Sequence, residues 1–259
     1  MRVITCNTNG IRAAARKGFF DWLKQQKADV VCIQETKAQI DQLDDSVFYP
    51  QGYHCFYNDA ERRGYSGTAL FAKQKPQKVH TSVGWEPVDS QGRYLQADFP
   101  GISIISLYVP SGSSGEDAQA RKDVFLERFT DHLQGLRKKR REFIICADWN
   151  MCHRNIDLKN WRSNQKNSGF LPHEREWLDK TLGQEGWVDA YRELYPDKEQ
   201  YTWWSNRGQA WANDVGWRLD YLLVTPGLRG KAKSATVYRE ERFSDHAPLI
   251  MDFQWNADK

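Results

Sequence analysis

The sequence contains no apolar run close to the roughly 20 residues that a membrane-spanning helix requires. Its N-terminus also lacks the basic, apolar and small-residue regions of a secretory signal peptide. We therefore expect no membrane partner and a cytoplasmic location. No segment repeats at a fixed period, and no linker rich in proline, glycine or charge divides the chain. These absences predict one domain over residues 1–259.

Cysteine is scarce and is not arranged in pairs. The sequence has five cysteines, an odd number without paired spacing, which argues against a disulfide framework. Cys6, Cys32 and Cys146 lie within apolar runs, where a free cysteine behaves as a small hydrophobic residue. Cys152-His153 suggests zinc at first, but no second pair stands at ligand spacing, so we favour an ordinary structural role.

Neither sign of charge dominates the composition. Lys and Arg number 37 against 34 Asp and Glu, and the formal net charge is +3. This mild excess allows a polyanionic partner without requiring one, because an acidic site would mask a basic surface in the total. A hydrophobic fraction of 40% and a mean hydropathy of −0.76 indicate a globular protein that is soluble and has a sizeable core.

The most informative stretch is an apolar run that ends in polar side chains. Residues 143–147 are typical of a short buried strand, and the strand delivers Asp148-Trp-Asn150 to its end. Because side chains alternate along a strand, Asp148 and Asn150 are expected to point the same way. A buried carboxylate needs a metal, a proton or hydrogen-bond donors. The alternative is that Asp148 begins a turn and Asn150 caps the segment after it.

Two further predicted strands end in the same manner. Residues 2–6 run into Asn7-Thr-Asn9-Gly10, and residues 29–33 run into Gln34-Glu35-Thr36. Residues 13–26 between them have helical periodicity. Strand, helix and strand with polar groups at both strand ends predict a βαβ unit whose site lies at one edge of a sheet.

The rest of the chain alternates further strand and helix signals. Strands are predicted at 67–72, 94–99, 102–107, 218–224 and 249–253, with helices over 118–136 and from Pro172. The basic run 137–141 follows the first of these helices, and we favour a solvated helix end over a DNA-contacting patch. The Gly/Ser stretch 111–115 lacks the P-loop lysine and is interpreted as a flexible loop. The pattern favours sheets sandwiched between helices.

The polar side chains at these strand ends define the chemistry. No Ser or Cys stands beside a base, and no Gly-rich dinucleotide loop is present, so acyl transfer and hydride transfer are disfavoured. Carboxylate oxygens suit Mg²⁺ or Mn²⁺, neutral amides and phenols can hold phosphoryl oxygens, and a histidine can donate to a phosphate. Together they match phosphodiester hydrolysis. The collected residues are Asn7, Asn9, Glu35, Tyr108, Asp148, Asn150, Asp220, Asp245 and His246.

Each of these residues alone also has a purely structural explanation. Asn9-Gly10 could be only a turn, Glu35 a helix cap, and Asp220 the partner of a buried Arg218. Acids and amides at the ends of several separate strands nevertheless make a shared site the better hypothesis.

Six spaced blocks resemble the exonuclease III family of apurinic/apyrimidinic (AP) endonucleases over nearly the whole chain. The blocks are Asn7-Thr-Asn9-Gly10-Ile-Arg12, Gln34-Glu35-Thr36-Lys37, Tyr108-Val-Pro-Ser111, Asp148-Trp-Asn150, Trp217-Arg-Leu-Asp220-Tyr221 and Ser244-Asp245-His246-Ala-Pro248. Residues 164–172 and 216–220 further resemble the branch that contains the major human abasic endonuclease and its bacterial counterparts.

The resemblance implies both a fold and an activity. The implied fold is α/β (α+β): a four-layer αββα sandwich of two packed mixed β-sheets flanked by helices. The implied activity is Mg²⁺-dependent DNA repair, with Mn²⁺ as a second candidate metal. The enzyme would cut double-stranded DNA on the 5′ side of an abasic site, leaving a 3′-hydroxyl and a 5′-deoxyribose phosphate. How much 3′-5′ exonuclease, 3′-phosphatase or 3′-phosphodiesterase activity accompanies incision stays open, and a monomer is the default expectation.

The resemblance also implies a role for each site residue. Glu35 would be the principal metal ligand, with Asn9 and Asp245 close to the metal. Asp148 would position or deprotonate the attacking water. Asn150 and Tyr108 would hold the scissile phosphate, and Asn7 would orient the acids. His246, paired with Asp220, would bind a phosphate oxygen.

Aromatic and basic residues complete the implied site. Trp203, Trp217 and Leu219 match positions that form the pocket for an extruded abasic sugar, which unstacks cheaply because it carries no base. For Trp204 and Trp211 we favour core packing. The expected DNA contacts are Arg62, Arg63, Lys159, Lys166 and Arg207.

A non-catalytic alternative shares the same fold. Residues 92–98 and 225–229 resemble the catabolite repression control proteins, regulators that bind RNA or protein partners and have lost catalytic residues. The catalytic and regulatory branches differ in the acidic residues of the site. All of these residues are present in this sequence.

Overall fold

The computed structural model describes residues 1–255, whose main elements are two six-stranded β-sheets packed face to face. In spatial order, the first sheet contains His54–Asn58 (β3), Thr68–Ala72 (β4), Val30–Gln34 (β2), Arg2–Asn7 (β1), Leu249–Phe253 (β14) and Ala232–Val237 (β13). The second contains Lys78–His80 (β5), Tyr94–Phe99 (β6), Ile102–Tyr108 (β7), Glu142–Asp148 (β8), Asp220–Val224 (β12) and Val188–Asp189 (β9). A two-stranded ribbon pairs Trp203–Trp204 (β10) with Gly216–Trp217 (β11).

The helices are Ile11–Arg16 (α1), Phe19–Gln26 (α2), Glu116–Arg137 (α3), Trp161–Asn164 (α4), Pro172–Leu182 (α5) and Ala190–Leu194 (α6). Helices α1 and α2 cover the outer face of the first sheet, and α3 and α5 cover that of the second, while α6 packs into the core between the sheets. Strands β1 and β2 are parallel, as are β7 and β8, while the other pairs are antiparallel, so both sheets are mixed. The predicted four-layer αββα sandwich is confirmed. Within residues 1–255, no helix combines the length and apolar character that a membrane span requires.

Strand alternation divides the apolar residues among three cores. Side chains such as Cys32 on β2 and Cys146 on β8 point between the two sheets. The opposite face of β2, with Val31 and Ile33, packs on α1 and α2. The opposite face of β8, with Ile145 and others, packs on α3 and α5. A central strand with both faces covered has a continuous apolar sequence, which explains why these strands were easy to predict.

One predicted helix is wrong in its extent. Residues 13–26 form two helices, because the chain breaks at Lys17 and Gly18. Gly18 has φ 88, a left-handed conformation that glycine adopts without a Cβ clash. Phe19, Trp22 and Leu23 are buried, in keeping with the helical periodicity of this segment.

The topology brings functional strand ends to one edge of the sandwich. Tyr108 at the end of β7 pairs with Asp148 at the end of parallel β8, and Asp148 pairs in turn with Asp220 at the start of antiparallel β12. In the other sheet, Asn7 ends β1 and Gln34 ends β2 beside it. The two sheets therefore present their polar residues toward a common space.

Candidate active site

A buried amide joins the acidic groups of the two sheets. Asn7 is fully buried, and its Nδ2 donates to Asp148 Oδ2 at 2.8 Å and to Glu35 Oε2 at 3.0 Å. Its Oδ1 accepts the backbone N–H of Asn9 at 2.8 Å. Because both amide ends are engaged, Asn7 fixes the separation of two carboxylates carried by different sheets.

Side-chain oxygens at the edge of the first sheet converge on the ammonium group of Lys37. Lys37 Nζ lies 3.0 Å from Glu35 Oε1 and 2.5 Å from Asn9 Oδ1. Asn9 Nδ2 donates to Asp245 Oδ1 at 3.0 Å, which places the second carboxylate beside this group. Asn9 and Glu35 adopt φ values of 44 and 56, a left-handed conformation that is strained for these residues and that clusters at functional sites.

Hydrogen bonds keep Asp245 in its ionised form. Trp203 Nε1 donates to Asp245 Oδ2 at 3.0 Å, and Asn9 and Ser244 donate to Oδ1. Burial opposes ionisation, but the neighbouring His246 and these three donors lower the pKa of the Asp245 carboxyl below its usual value. The group is thus an anionic oxygen ligand at neutral pH.

Opposite this group lies a buried histidine between two carboxylates. His246 Nδ1 donates to Asp220 Oδ2 at 2.9 Å, and its Nε2 lies 3.8 Å from Asp148 Oδ2. Burial lowers the pKa of His246, but Asp220 and Asp148 outweigh it and raise the pKa to about 10. Burial, reinforced by Asp220, raises the pKa of Asp148 to about 7 despite the opposing effects of His246 and Asn7.

Two groups of side chains compete as metal ligands. Among residues 1–255, the His and carboxylate atoms of Asp148, Asp220 and His246 lie within 4.8 Å of one another. In this cluster, however, His246 Nδ1 is already bound by Asp220 at 2.9 Å, and Nε2 lies 3.8 Å from Asp148. Glu35, Asn9 and Asp245 offer hard oxygen atoms, and Lys37 already demonstrates that two of them converge on a positive charge. This second set fits a divalent cation better.

Tyr108 and Asn150 supply uncharged hydrogen-bond donors beside the acids of the cavity. Burial, followed by the charges of Glu35 and Asp148, raises the pKa of Tyr108, so its hydroxyl remains a donor. Asn150 has φ 52, and its Nδ2 donates to Val109 O at 2.8 Å. Its backbone N–H donates to Asp148 Oδ1 at 2.9 Å, which aligns the carboxylate with the amide.

These groups line a cavity of about 720 Å³. The cavity contains most of the predicted site residues: Asn9, Glu35, Tyr108, Asp148, Asn150, Lys166, Trp203, Trp217, Leu219, Asp245 and His246. Asn7 is buried behind the acids, and Asp220 is buried behind His246. Sequence reasoning therefore identified both the wall of the cavity and two of the side chains that support it.

An aromatic recess forms one end of this cavity. Trp203 and Trp217 pack edge to face, with ring centroids 6.3 Å apart, beside buried Leu219. Gly169 closes the recess with φ 92, and an added Cβ would lie 3.2 Å from Trp217 Cζ3 and 3.1 Å from Asn150 O. The recess is thus apolar and narrow. Trp204 and Trp211 pack together away from it, and Trp204 is fully buried.

The predicted DNA-contacting cations are dispersed. Lys166 lines the cavity, whereas Arg62, Arg63, Lys159 and Arg207 lie outside it on exposed surface. Arg63 pairs with Asp41, and Lys159 pairs with Glu199. The basic run 137–141 lies at the opposite end of β8 from Asp148, roughly 20 Å along a seven-residue strand. That placement favours the solvated helix end.

Some cavity residues received no role from the sequence. Lys37 stands within the Gln34-Glu35-Thr36-Lys37 block, and Ser111, Ser113 and Ser168 lie in polar loops. The periodicity of strands gives no information about loops, so only the Gln34-Glu35-Thr36-Lys37 block pointed to Lys37. The structural explanation for Asp220 is wrong: Arg218 pairs with Asp157 and Asp189, while Asp220 binds His246.

Comparison with known proteins agrees with this geometry. Residues 4–246 match the Endonuclease/Exonuclease/phosphatase family. The chain is 38% identical to an exodeoxyribonuclease of Bacillus subtilis (strain 168), covering 96% of this chain and 98% of that protein. It is 35% identical to the DNA repair nuclease APEX1 of Danio rerio, covering 97% of this chain and 81% of that protein.

A solved structure extends the similarity to three dimensions. The AP endonuclease from Archaeoglobus fulgidus superposes with a TM-score of 0.90 at 29% identity, covering 98% of this chain and all of that one. The same sandwich is thus present over nearly the full length of both chains.

Proposed function

Because the chain belongs to the endonuclease/exonuclease/phosphatase family, we propose that its cavity hydrolyses the DNA phosphodiester on the 5′ side of an abasic site. The chain is a phosphodiester hydrolase of the AP endonuclease and exodeoxyribonuclease type, as its relatives are. The products are a 3′-hydroxyl and a 5′-deoxyribose phosphate. One observation carries the proposal: a base, a protonated histidine, neutral donors and an oxygen ligand set all face one cavity that ends in a narrow aromatic recess.

Asp148 is the base in this proposal. Its pKa of about 7 makes the carboxylate available near neutral pH while leaving it basic enough to accept a proton from water. Asn7 and the Asn150 N–H hold its two oxygens in place. The water oxygen attacks phosphorus as its proton moves to Asp148, the P–O3′ bond breaks, and the 3′ oxygen leaves to be protonated.

His246, Tyr108 and Asn150 stabilise the charge that builds on the phosphate. His246 is an imidazolium at neutral pH, so Nε2–H can donate to a non-bridging oxygen while Nδ1–H is held by Asp220. The Tyr108 hydroxyl and the Asn150 amide add uncharged donors, which form no salt bridge with the nearby carboxylates. Preorganised donors of this kind contribute the largest share of many enzymatic rate enhancements.

We infer that Glu35, Asn9 and Asp245 hold Mg²⁺, with Mn²⁺ as the alternative that the same hard ligands accept. When bound, a divalent cation supplies positive charge to the phosphate and the leaving oxygen. The Lys37 ammonium would then retain only part of its present contacts with Glu35 and Asn9.

The aromatic recess accounts for lesion selectivity. In this proposal the extruded abasic sugar lies in the recess lined by Trp203, Trp217 and Leu219, where the close approach of Gly169 to the ring of Trp217 limits the space for a base. Flipping an abasic sugar also sacrifices little stacking. A non-catalytic regulatory role is not supported, because the similar proteins are nucleases and every catalytic side chain is present.

The direct test uses a duplex oligonucleotide with one abasic analogue beside an undamaged duplex with a recessed 3′ end. We expect incision at the lesion with Mg²⁺ and none with EDTA, and the nick should prime a DNA polymerase without further processing. The recessed end measures accompanying 3′-exonuclease activity. Absence of metal-dependent incision, or a nick that cannot prime, would contradict the proposed reaction.

The rate of incision should depend on pH through Asp148 and His246. At saturating Mg²⁺, we expect the rising limb of kcat/KM to have its midpoint below about pH 7, because Asp148 must lose its proton, and kcat/KM to fall above about pH 10, because His246 must keep its own. A bound cation moves the lower limb to a lower pH, since it favours the carboxylate. Asp220→Asn should shift both limbs down, because Asp220 raises both pKa values. If Asp220→Asn left the pH dependence of kcat/KM unchanged, these assignments would be wrong.

DNA affinity should fall steeply with salt if the dispersed cations contact phosphates. Lys166→Ala and Arg62→Ala should each weaken binding to abasic and undamaged duplexes alike and reduce the slope of log K against log salt by about 1. Lys138→Ala, at the far end of α3, is the matched control and should change neither quantity. If only the control variant lowered the slope, DNA would instead contact the basic run 137–141.

A further inference from the structure

A charge pair outside the proposed chemistry is completely buried between two helices. Lys122 of α3 and Glu174 of α5 are both 0% exposed, and Lys122 Nζ lies 2.5 Å from Glu174 Oε1. Removing two charges from water is unfavourable, and apolar side chains of similar volume often stabilise a core equally well. Stability by itself therefore gives no reason for an ion pair at this place.

Lys122 holds the catalytic turn. Its Nζ also donates to the backbone oxygen of Asn150 at 2.8 Å. Asn150 has the left-handed φ of 52, which asparagine tolerates, and the hydrogen bond from Lys122 to its carbonyl supports this conformation. The ammonium thus anchors the carbonyl of the residue whose N–H holds Asp148 and whose side chain faces the cavity.

Glu174 holds the loop that closes the aromatic recess. Its Oε2 accepts the backbone N–H of Gly169 at 2.8 Å and that of Leu171 at 2.9 Å. Gly169 O in turn accepts the N–H of Cys152 at 2.7 Å, which ties the loop to the chain just after Asn150. The same loop contributes residues 166–169 to the cavity.

We propose that Lys122 and Glu174 form a positioning pair that sets the distance between the phosphate-binding turn at Asn150 and the sugar-binding recess at Gly169. Neither side chain lines the cavity; Lys122 binds a backbone group of Asn150 and Glu174 binds one of Gly169, and both of these residues line it. Lys122 controls the rate on every phosphodiester that enters the cavity, and Glu174 controls the preference for an abasic sugar. The proposal rests on the proposed function only in its second part, because phosphate positioning serves any phosphodiester substrate.

Two double variants separate the two parts. Lys122→Met/Glu174→Gln removes the ammonium but keeps an amide oxygen for the N–H groups of Gly169 and Leu171. Gln119 Nε2 donates to Glu174 Oε1 at 3.2 Å in the parent, so the amide of Gln119 must flip for its Oε1 to accept from the new N–H. Lys122→Met/Glu174→Leu removes that acceptor as well.

The expected results differ between the variants. Lys122→Met/Glu174→Gln should lower kcat by about 10- to 100-fold on the abasic duplex and on the recessed 3′ end alike, with KM changed less than about threefold. Lys122→Met/Glu174→Leu should in addition lower the preference for the lesion about tenfold. That preference is the ratio of Kd values for undamaged and uncleavable abasic-analogue duplexes in EDTA, a readout independent of turnover.

Controls distinguish positioning from stability. Asp21→Asn/Lys24→Met removes an exposed ion pair on α2 and should change none of these quantities. Urea unfolding gives the folded fraction of each variant. If kcat normalised to that fraction and the lesion preference both matched the parent, the pair would be merely structural and the proposal refuted. A parent chain without lesion preference would refute the proposed function, while kcat on the recessed end would still test Lys122.

Gly169→Ala provides a second route if a double variant fails to fold. The added Cβ would lie 3.1 Å from Asn150 O and 3.2 Å from Trp217 Cζ3, so it displaces the loop while Lys122 and Glu174 themselves are retained. We expect the same roughly tenfold loss of lesion preference. An unchanged preference would overturn the assigned role of the Gly169 loop.

Discussion

Asp148→Asn lowers the rate of abasic-site incision by roughly 10³-fold, because the amide cannot accept the proton of the attacking water. The substitution keeps the size of the side chain and an oxygen for the Asn150 N–H. It also removes a charge that burial disfavours, as the raised pKa of Asp148 indicates. We therefore expect the free energy of unfolding to change by less than about 1 kcal/mol.

The measurement is single-turnover incision at saturating enzyme, combined with urea unfolding of the same preparations. Asp252→Asn is the matched control, since Asp252 pairs with Arg2 at the opposite end of the sandwich and should leave the rate unchanged. Binding of the abasic duplex should survive in Asp148→Asn, because its recess and neutral donors remain. A variant that cuts at more than about a tenth of the parent rate would exclude Asp148 as the base.

Asp157→Asn should have the largest effect on stability. Asp157 is fully buried, and its Oδ1 accepts Arg218 Nε at 2.7 Å together with the guanidinium of Arg192. Its Oδ2 accepts the backbone N–H of Arg154 at 2.8 Å. The neutral amide would leave two buried guanidinium groups with Asp189 as the remaining carboxylate. Breaking a buried pair in this way costs about 3–5 kcal/mol, a large share of the usual stability of a domain.

The stability of the fold at acidic pH should also depend on Asp157. Burial opposes ionisation of Asp157, but Arg218 and Arg192 hold its pKa well below the usual range. A depressed pKa contributes stability above the pKa of the unfolded chain, about 3.9, and this contribution disappears as pH falls through the folded value. The parent should therefore lose stability below about pH 4, and the difference from Asp157→Asn should shrink there.

Urea unfolding at about pH 7 and about pH 3 tests both statements. Asp41→Asn removes an exposed partner of Arg63 and should cost less than about 1 kcal/mol at either pH. Equal effects of the two substitutions at neutral pH would show that the buried network contributes little. Arg218 stands between Trp217 and Leu219, so loss of the network should also disturb the aromatic recess.

The strands that the sequence predicts are those buried on both faces. The central strands β1, β2, β4, β6, β7, β8, β12 and β14 were predicted because both their faces are covered, which produces apolar runs. The strands it missed in the two large sheets, β3, β5, β9 and β13, all lie at sheet edges. Edge strands are short or half exposed, so their residues show no clear period. The break at Gly18 was missed because helical periodicity resumes after it.

The sequence by itself determined which side chains this protein can use. Apolar runs ending in Asn7, Glu35 and Asp148 predicted polar groups at one sheet edge, and the six spaced blocks named the family. Such signals are local: they depend on the alternation of a strand and on the residue at its end.

Only the tertiary structure decided how those side chains act. Asn7 touches Asp148 across 141 positions of sequence, and Lys122 of α3 reaches Asn150 in the turn after β8. The sequence alone also left open whether Asp220 pairs with Arg218 or with His246. In the tertiary structure Asp220 binds His246, and Arg218 pairs with Asp157. Distance, burial and the resulting pKa values arise from packing between segments far apart in the chain, and no local pattern encodes them.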